Sequence, residues 1–296
     1  MSCDYLIIAN PVSGRQTAPA AASRVRQLLE AAGAKVDLQL TTGRGDAFHR
    51  AIAAVKNGVK IVAGCGGDGT LHEIAAAIEN SPTALGIIPH GRCNDFAREL
   101  GFPKSAAPEQ FAKILLEGRR RKVDLGAVGK KRFLTVATLG FDSDASRFVE
   151  TRRLWVKGTP AYLWAVLAVL WRFRSPTVLL RGDFGAWEGR ILLTATGNTS
   201  SYGGAMKITP NAKLDDGIFH VTLVEAVSKL TVLRVLPRVI KGTHLSHPRV
   251  RVLTTSWLEI TTPEGPQWIC ADGESLCQTP CRLEIHPNAL EIVAPS

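Results

Sequence analysis

The sequence predicts an α/β protein of two domains, a parallel sheet with helices followed by a mostly antiparallel, β-rich domain. Three observations support this prediction. Short apolar segments alternate with helix-like segments up to residue 88, and a polar or glycine-rich loop follows four of the apolar segments. From about residue 121 onward, β-type segments separated by turns dominate. Alternating strands and helices are typical of a parallel sheet, and successive strands are typical of an antiparallel one.

In the first part, strand and helix patterns follow one another in regular order. The predicted strands are Asp4–Ala9, Lys35–Leu40, Val59–Ala63 and Ala84–Ile88, and the predicted helices are Ala18–Ala32, Asp46–Lys56 and Thr70–Glu79. Gly33 closes the first helix. Since open parallel sheets bind ligands at the carboxyl ends of their strands, the loops after these strands are the candidate binding segments.

In the second part, turns separate many short β-type segments. The predicted strands are Lys122–Ala127, Arg132–Thr138, Thr177–Arg181, Gly189–Thr196, Ile218–Val224, Val250–Leu253, Trp257–Thr262 and Cys281–His286, with helices at about 145–172 and 228–242. The composition changes near residues 126–130. We therefore expect a first domain over residues 1–128 and a second domain over residues 129–296.

The composition indicates an ordinary globular chain with an anionic partner. Of the 296 residues, 45% are hydrophobic, and Lys and Arg outnumber Asp and Glu by 36 to 26. A basic protein favours phospholipid, nucleotide or nucleic acid, but no nucleic-acid-reading motif accompanies the charge, so we expect no nucleic acid. The alternative is a basic protein without such a partner. The six scattered cysteines (Cys3, Cys65, Cys93, Cys270, Cys277 and Cys281) match no usual zinc pattern, and with no secretion signal they predict a cytoplasmic location.

The longest apolar run, Ala161–Trp171, is too short to cross a bilayer, which takes about 20 residues. Basic residues flank it, and three tryptophans lie in or near it: Trp155, Trp164 and Trp171. Such a segment is typical of a helix that lies in the membrane interface. A buried core helix with solvated basic ends is the equal alternative. The first interpretation predicts peripheral association with the inner, anionic membrane face.

A glycine turn over residues 64–70 is the first candidate site. Glycines at this turn let backbone N–H groups approach an anion, and the N-terminus of the next helix adds its positive dipole end. Asp68 would repel bound phosphates unless it holds a metal ion or takes up a proton, so it indicates chemistry. The turn also fits the dinucleotide fingerprint, but the acid expected about 20 residues later is missing, and no nucleoside-triphosphate P-loop motif is present.

The three other strand ends carry similar loops: Asn10–Gly14, Thr41–Asp46 and Pro89–Asp95. Each has a plain explanation by itself, since Asn-Pro and Ser-Gly are common turn pairs and Asp46 is in the position of a helix cap. Four such loops at successive strand ends of one sheet predict a nucleotide site.

Five motifs together resemble the bacterial diacylglycerol kinase and lipid kinase family, which is related to NAD kinases and sphingosine kinases. The motifs are Asn10-Pro-x-Ser-Gly14, Gly66-Gly-Asp-Gly-Thr70, Asn94-Asp-Phe-Ala-Arg98, Asp215-Asp-Gly217 and Asp272-Gly-Glu274. The resemblance covers essentially the whole chain. It implies an NAD-kinase-like N-terminal α/β domain that binds ATP, a C-terminal antiparallel β-sandwich domain, and a lipid that enters between them.

The resemblance also implies residue roles. ATP would be held by the following residues of the first domain: Asn10, Ser13, Thr42, Gly66, Gly67, Gly69, Thr70, Arg92, Asn94 and Asp95. Asp68 and Asp95 would act through Mg²⁺, and Glu274, with Asp272 beside it, would accept the proton of the lipid hydroxyl. A second Mg²⁺ would use Asp216, next to Asp215, and main-chain oxygens near Lys213 and Ile218. From the residues alone, Asp272 and Glu274 fit a plain Asp-Gly hairpin with a solvated glutamate.

The chain departs from the family pattern at three places. Residues 90–93 read His-Gly-Arg-Cys, so Arg92 stands where a phosphate-contacting threonine is usual, and an arginine can bind phosphate as a charged fork. His72 stands in the glycine turn where asparagine is common in bacterial members, and His220 ends the second Mg²⁺ loop where an acid often stands. These changes leave the choice of nucleotide and lipid open.

The favoured function is an ATP-dependent, Mg²⁺-dependent lipid kinase of phospholipid biosynthesis that phosphorylates diacylglycerol or a related lipid, with sphingoid acceptors included. Phosphoryl transfer needs a cradle for the donor, a divalent ion and a base. The alternatives are an NAD kinase, which shares the Gly-Gly-Asp-Gly turn, and a lipid- or nucleotide-binding sensor without catalysis. A homodimer, the acceptor lipid and activation by phospholipid stay open.

Overall fold

A computed structural model describes residues 3–104, 106–151, 168–204 and 206–295 of the chain. The chain divides into two compact units. The first unit runs to Leu125 and includes the residues from His286 onward, and the second unit comprises Gly126–Ile285. The predicted helix at about 145–172 falls largely in 152–167, outside the described residues, and so do Trp155 and Trp164.

The first unit is built on a parallel sheet. Its strands are β1 (Tyr5–Ala9), β2 (Val36–Leu40), β3 (Ile61–Gly66) and β4 (Ala84–Pro89), in the spatial order β2-β1-β3-β4. The C-terminal part of β15 (Cys281–Ala294) adds a parallel neighbour to β4 through Ile292 and Leu85. Every residue of β3 is buried, as expected for a central strand covered on both faces.

Five helices accompany this sheet in the described part of the first unit: α1 (Ala18–Ala31), α2 (Asp46–Lys56), α3 (Asp68–Ile78), α4 (Asp95–Glu99) and α5 (Pro108–Glu117). A 3₁₀ turn over Ser13–Gln16 precedes α1. The helices bury small and branched side chains against the strands; Val25 and Leu29 of α1 and Leu71 and Ile74 of α3 have no exposed surface. The α/β alternation predicted from the sequence is confirmed.

The second unit is a β-sandwich-like domain in which the recorded strand pairings are antiparallel. Its strands are β5 (Arg119–Val128, which begins in the first unit), β6 (Lys131–Phe133), β7 (Val136–Gly140), β8 (Thr177–Gly182), β9 (Gly185–Gly197), β10 (Phe219–Glu225), β11 (Val250–Thr255), β12 (Trp257–Thr261), β13 (Trp268–Ala271), β14 (Glu274–Gln278) and the start of β15. One group of strands follows the order β14-β13-β7-β9-β10-β11, and the long β9 also pairs with β8, which leads to a second group of β8, β12 and β15. Phe133 and Phe219 stack in the core between them, with ring centroids 5.7 Å apart.

Helices border the second unit in the part of the chain that the structure describes. Helix α6 (Phe141–Thr151) follows β7 directly, and α7 (Lys229–Lys241) lies between β10 and β11. The Oγ atom of Ser228 accepts the Thr231 N–H and caps the start of α7, and Gly242 ends it in the left-handed conformation. The sequence patterns missed α4, α5, β13 and β14. Since α4, β13 and β14 have only four or five residues each, they carry too little periodicity to be recognised.

Candidate active site

The loops after β1, β2, β3 and β4 lie along one edge of the first unit. Backbone hydrogen bonds join them in pairs: the Asn10 N–H donates to the Cys65 carbonyl at 3.0 Å, Thr41 N–H to Ala9 at 2.9 Å, and His90 N–H to Gly66 at 2.8 Å. Because the four strands are parallel and adjacent, their carboxyl ends meet at this edge. The structure therefore brings together the four loops in which the sequence predicted a nucleotide site.

The glycine turn is a strand-to-helix junction. Strand β3 ends at Gly66 and helix α3 begins at Asp68, so Gly67 is the helix N-cap. The N–H groups of Thr70 and Leu71 donate to the Gly67 carbonyl, at 3.0 and 3.2 Å. The earlier N–H groups, of Gly67, Asp68 and Gly69, stand in the first turn, where a helix offers them no acceptor of its own. This is the arrangement that binds phosphate at a helix N-terminus.

Packing requires glycine at two positions of this edge. A Cβ at Gly66 would lie 2.5 Å from Thr70 Oγ1 and 2.9 Å from its Cβ. A Cβ at Gly91 would overlap the Cα of Gly67, because the loops after β3 and β4 touch through their backbones. Contacts within the protein therefore explain why glycine stands at positions 66 and 91.

Gly69 has no such explanation. A Cβ built on Gly69 meets no atom within 4 Å, and its φ is not positive. Among the glycines of the described residues, only Gly43, in the loop after β2, shares both properties. Since glycine weakens a helix by up to about 1 kcal/mol relative to alanine, a glycine that neither packing nor backbone conformation requires is consistent with close approach of a ligand.

Asp68 and Asp95 have different surroundings. Asp68 Oδ1 accepts the Phe96 N–H at 3.3 Å, at the start of α4. Asp95 is only 5% exposed and forms an ion pair with Arg98, whose guanidinium also donates to the Cys93 carbonyl at 2.6 Å. The Asp95–Arg98 pair thus fixes the loop after β4.

Asn94 fixes the same loop. Its side-chain oxygen accepts the Gly91 N–H at 2.8 Å, its side-chain nitrogen donates to the Gly91 carbonyl at 3.1 Å, and its φ is +49°. Asparagine tolerates this left-handed conformation better than most residues. Arg92 is exposed beside it and makes no hydrogen bond or ion pair with the residues that the structure describes.

Asn10 and Thr42 also organise their loops. Asn10 Oδ1 accepts the Val12 N–H at 3.1 Å, and Ser13 begins the 3₁₀ turn that follows. The Thr42 N–H and hydroxyl both donate to Asp46 Oδ2, at 2.8 and 3.1 Å. The Thr42 N–H and then the Arg50 guanidinium lower the pKa of the Asp46 carboxyl. Asp46 is thus used within its loop.

Sequence reasoning missed two residues that shape this edge. Glu73 of α3 accepts the N–H groups of Gly45 and Ala47, at 2.8 and 3.1 Å, and so caps the start of α2. His90 Nε2 lies 3.2 Å from the Thr17 hydroxyl, and its ring leaves no room for a Cβ at Gly14. Burial lowers the pKa of His90. An acid in the helix after a glycine turn was the only available signal for Glu73.

In the second unit, Asp272 and Gly273 form the two-residue turn between β13 and β14. Both have positive φ, 52° and 81°, as a type I′ hairpin turn requires. The Asp272 carboxylate accepts the Leu134 N–H at 2.7 Å, the Thr135 N–H at 3.0 Å and the Thr135 hydroxyl. Asp272 therefore anchors the hairpin to the start of β7.

Glu274 is the first residue of β14 and is half-buried. It pairs with Ala271 across the hairpin, and the register shifts by one residue between Ile269 and Cys270. Asp272 and Glu274 are thus placed by the same turn. The geometry gives Asp272 an anchoring role, while Glu274 continues into the strand.

The loop before β10 contains the other predicted metal residues. Asp216 Oδ1 accepts the Ile218 N–H at 3.3 Å, and Asp216 Oδ2 lies 3.0 Å from His220 Nε2. Asp215 and Lys213 are exposed. Across the described residues, no group of three or more His, Cys, Asp or Glu side chains is arranged to hold a metal ion. A cation here would depend on the Asp216 carboxylate and main-chain oxygens.

Two family profiles match the chain. The Diacylglycerol kinase catalytic domain matches residues 4–128, and the YegS C-terminal NAD kinase beta sandwich-like domain matches residues 135–294. The chain therefore belongs to the bacterial diacylglycerol kinase and lipid kinase family, and it is a lipid kinase. The family resemblance and the fold predicted from the motifs are confirmed.

Relatives from two bacteria agree with this assignment. A diacylglycerol kinase of Mycobacterium tuberculosis is 33% identical over 294 residues, which cover 97% of this chain and 94% of that protein. A diacylglycerol kinase of Bacillus subtilis is 30% identical over 271 residues, covering 90% and 88%. The crystal structure of a diacylglycerol kinase from Bacillus anthracis superposes with a TM-score of 0.75 at 22% identity, covering 99% of this chain and 98% of that one, which supports the fold.

Proposed function

We propose that this lipid kinase transfers the γ-phosphate of ATP to a hydroxyl of diacylglycerol or a closely related lipid, with Mg²⁺. The observation that supports the donor site best is the open glycine at Gly69, in the first turn of a helix whose N-terminus meets three other polar loops. The names of the relatives in Mycobacterium tuberculosis and Bacillus subtilis support diacylglycerol as the acceptor class.

The ATP phosphates fit the glycine turn. The N–H groups of Gly67, Asp68 and Gly69 bind them, and Asn10, Ser13, Thr42 and Thr70 line the neighbouring loops. Arg92 adds a charged fork on the exposed side of the loop after β4. Asn94 and Asp95 hold that loop in position through Gly91 and Arg98. These assignments divide the predicted ATP residues into those that contact nucleotide and those that position the loops.

A single carboxylate in a glycine-rich loop fits Mg²⁺, which prefers one or two carboxylates together with phosphate oxygens and waters. Asp68 is the residue that would hold the ion, with Asp95 behind it. The bound ion supplies neutralisation of the phosphate charge. For a second ion, Asp216 and the main-chain oxygens of Lys213 and Ile218 are the available donors, although His220 already contacts one Asp216 oxygen.

Glu274 accepts the proton of the lipid hydroxyl as that oxygen forms its bond to phosphorus and the bond to the ADP leaving group breaks. Asp272 positions Glu274 by holding the hairpin against Leu134 and Thr135. The first domain, residues 1–128, thus binds the donor, and the second, residues 129–296, supplies the base and binds the lipid. The enzyme works on lipid at the cytoplasmic membrane face.

The test is transfer of labelled γ-phosphate from ATP to a panel of diacylglycerol, monoacylglycerol, sphingosine, ceramide and NAD. We compare wild type with Asp68→Asn, and use Asp37→Asn as the matched control because Asp37 is exposed on β2 and its carboxylate accepts a hydrogen bond from Gln39. The proposal is supported if diacylglycerol is labelled, if Asp68→Asn lowers the rate of labelling by about a hundredfold or more, and if Asp37→Asn does not lower it. Label in NAD alone, or equal activity in both variants, would overturn it.

A further inference from the structure

Helix α7 exposes an apolar stripe that the kinase site does not use. Leu230, Leu233 and Ile240 are 66%, 40% and 60% exposed, and Pro237 is exposed on the same face. Their spacing of three or four residues places them along one side of the helix. The opposite side of the helix faces the core, since Val232 is buried and Val239 packs on the cluster around Ile208.

A row of cations runs beside this stripe. Arg234, Arg238 and Lys241 are exposed and follow the same helical spacing, and residues 226–258 contain no Asp or Glu. Adjacent apolar and basic rows on one helix are typical of a helix that lies in a membrane interface, with its apolar side chains among the acyl chains and its cations at the headgroups.

An exposed tryptophan extends the stripe. The Lys229 ammonium donates to the Trp171 carbonyl and lies 5.3 Å from the centre of its ring, which places Trp171 beside the start of α7. The Trp171 side chain is 69% exposed, and Arg172 next to it is exposed as well. Tryptophan is enriched at the level of the lipid headgroups, where an apolar ring with one N–H group is accommodated.

We propose that this face of α7, together with Trp171, docks the protein on an anionic phospholipid surface. The charge favours this occupant over a second copy of the chain, because a two-fold pairing of α7 helices would bring the same cation row against itself. No helix among the described residues is long and apolar enough to cross a membrane. This inference does not require ATP or the proposed acceptor.

The test is co-sedimentation with phosphatidylcholine vesicles that do or do not contain phosphatidylglycerol, without nucleotide. We compare two double variants. One combines Arg234→Gln and Arg238→Gln on α7, and the control combines Arg119→Gln and Lys122→Gln, which removes the same charge from exposed positions of β5. We expect the α7 pair to weaken binding to anionic vesicles by about thirtyfold, and the β5 pair to have less than about a third of that effect. Equal losses in the two pairs would mean that only net charge matters, and would overturn the proposal.

The apolar stripe is tested separately. Leu230→Ser with Ile240→Ser should weaken vesicle binding by about tenfold or more at unchanged charge, whereas Leu116→Ser, on an exposed position of α5, should not. Thermal unfolding checks that all variants are folded. Two outcomes would contradict the proposal. One is a concentration-dependent dimer that the α7 stripe variant abolishes, and the other is wild-type binding to neutral vesicles as strong as to anionic vesicles.

Transfer to a short-chain, water-soluble diacylglycerol separates this inference from the proposed function. The α7 variants should retain activity toward the water-soluble diacylglycerol. They should lose activity only toward lipid that is carried in vesicles. Loss of both activities in folded protein would place α7 in the kinase site and overturn the docking role.

Discussion

In the first unit Asp68 follows Gly67 at the start of a helix, whereas in the second unit Asp272 precedes Gly273 in a hairpin turn. The Asp68 carboxylate accepts the Phe96 N–H at 3.3 Å, at the start of α4. The Asp272 carboxylate accepts two backbone N–H groups and a hydroxyl. The same pair of residue types thus stands in the proposed phosphate-binding turn of one unit and anchors a hairpin in the other.

The largest stability effect should come from Asp272→Ala. It removes the acceptors of the Leu134 and Thr135 N–H groups, and we expect a loss of about 2–4 kcal/mol in the free energy of unfolding. Asp68→Ala should cost about 1 kcal/mol or less while abolishing transfer. Urea denaturation of both variants measures the difference. Equal destabilisation would remove the distinction between the two aspartates.

Gly66 and Gly69 of the glycine turn should likewise differ in what they contribute to stability and to ATP binding. Gly66→Ala forces a Cβ against Thr70, so we expect a loss of about 1–3 kcal/mol in stability. Gly69→Ala meets no atom and should leave stability unchanged or raise it by up to about 1 kcal/mol. The same Gly69→Ala protein should bind ATP more weakly, by about tenfold or more, in a calorimetric titration. Unchanged ATP affinity would mean that no phosphate approaches Gly69.

Arg92 should affect nucleotide binding alone. A charge-assisted hydrogen bond to phosphate contributes about 1.5 kcal/mol or more, so Arg92→Gln should raise the Kd for ATP about tenfold with no change in unfolding. Lys104→Gln, an exposed cation elsewhere in the first unit, is the control. If Arg92→Thr binds ATP as well as wild type, the usual threonine and this arginine serve the same phosphate contact.

The smallest predicted effect is on the pH dependence of stability, and it involves the half-buried His90 of the first unit and the buried His244 of the second. Burial lowers the pKa of His90 and of His244, so the unfolded chain takes up protons at a higher pH than the folded one. Stability is therefore complete above the ordinary histidine pKa of about 6.5 and falls as the pH drops below it. His90→Gln and His244→Gln should each flatten this decline in unfolding curves. An unaltered decline in both would assign it to other groups.

The sequence predicts most of the fold because its elements are local. The strands of the first unit and the glycine turn are readable from apolar runs bounded by glycine, and α2 has the predicted bounds. The Asp-Gly hairpin was available as the plain interpretation of residues 272–274. What local pattern cannot show is which distant groups a side chain meets.

Contacts far apart in sequence account for the missed parts of the site. Asp272 binds residues 134 and 135, Glu73 caps a helix that starts at residue 46, and His90 packs on Gly14. Each of these depends on strand order, which the local pattern does not contain. In the same way, the contacts of Asn94 with Gly91 and of Asp95 with Arg98 within the loop after β4 were not foreseen, and the role of both residues toward ATP stays a prediction.

The central claim, that the first unit binds the phosphate donor and Glu274 of the second unit is the base, is tested most directly by Glu274→Gln. We would measure ATP affinity and the kcat for diacylglycerol in the same preparation, with Glu284→Gln on β15 as the control. The account predicts unchanged ATP affinity and a kcat lower by about 10²-fold or more for Glu274→Gln, and a normal kcat for the control. A Glu274→Gln protein that phosphorylates diacylglycerol at the wild-type rate would contradict it.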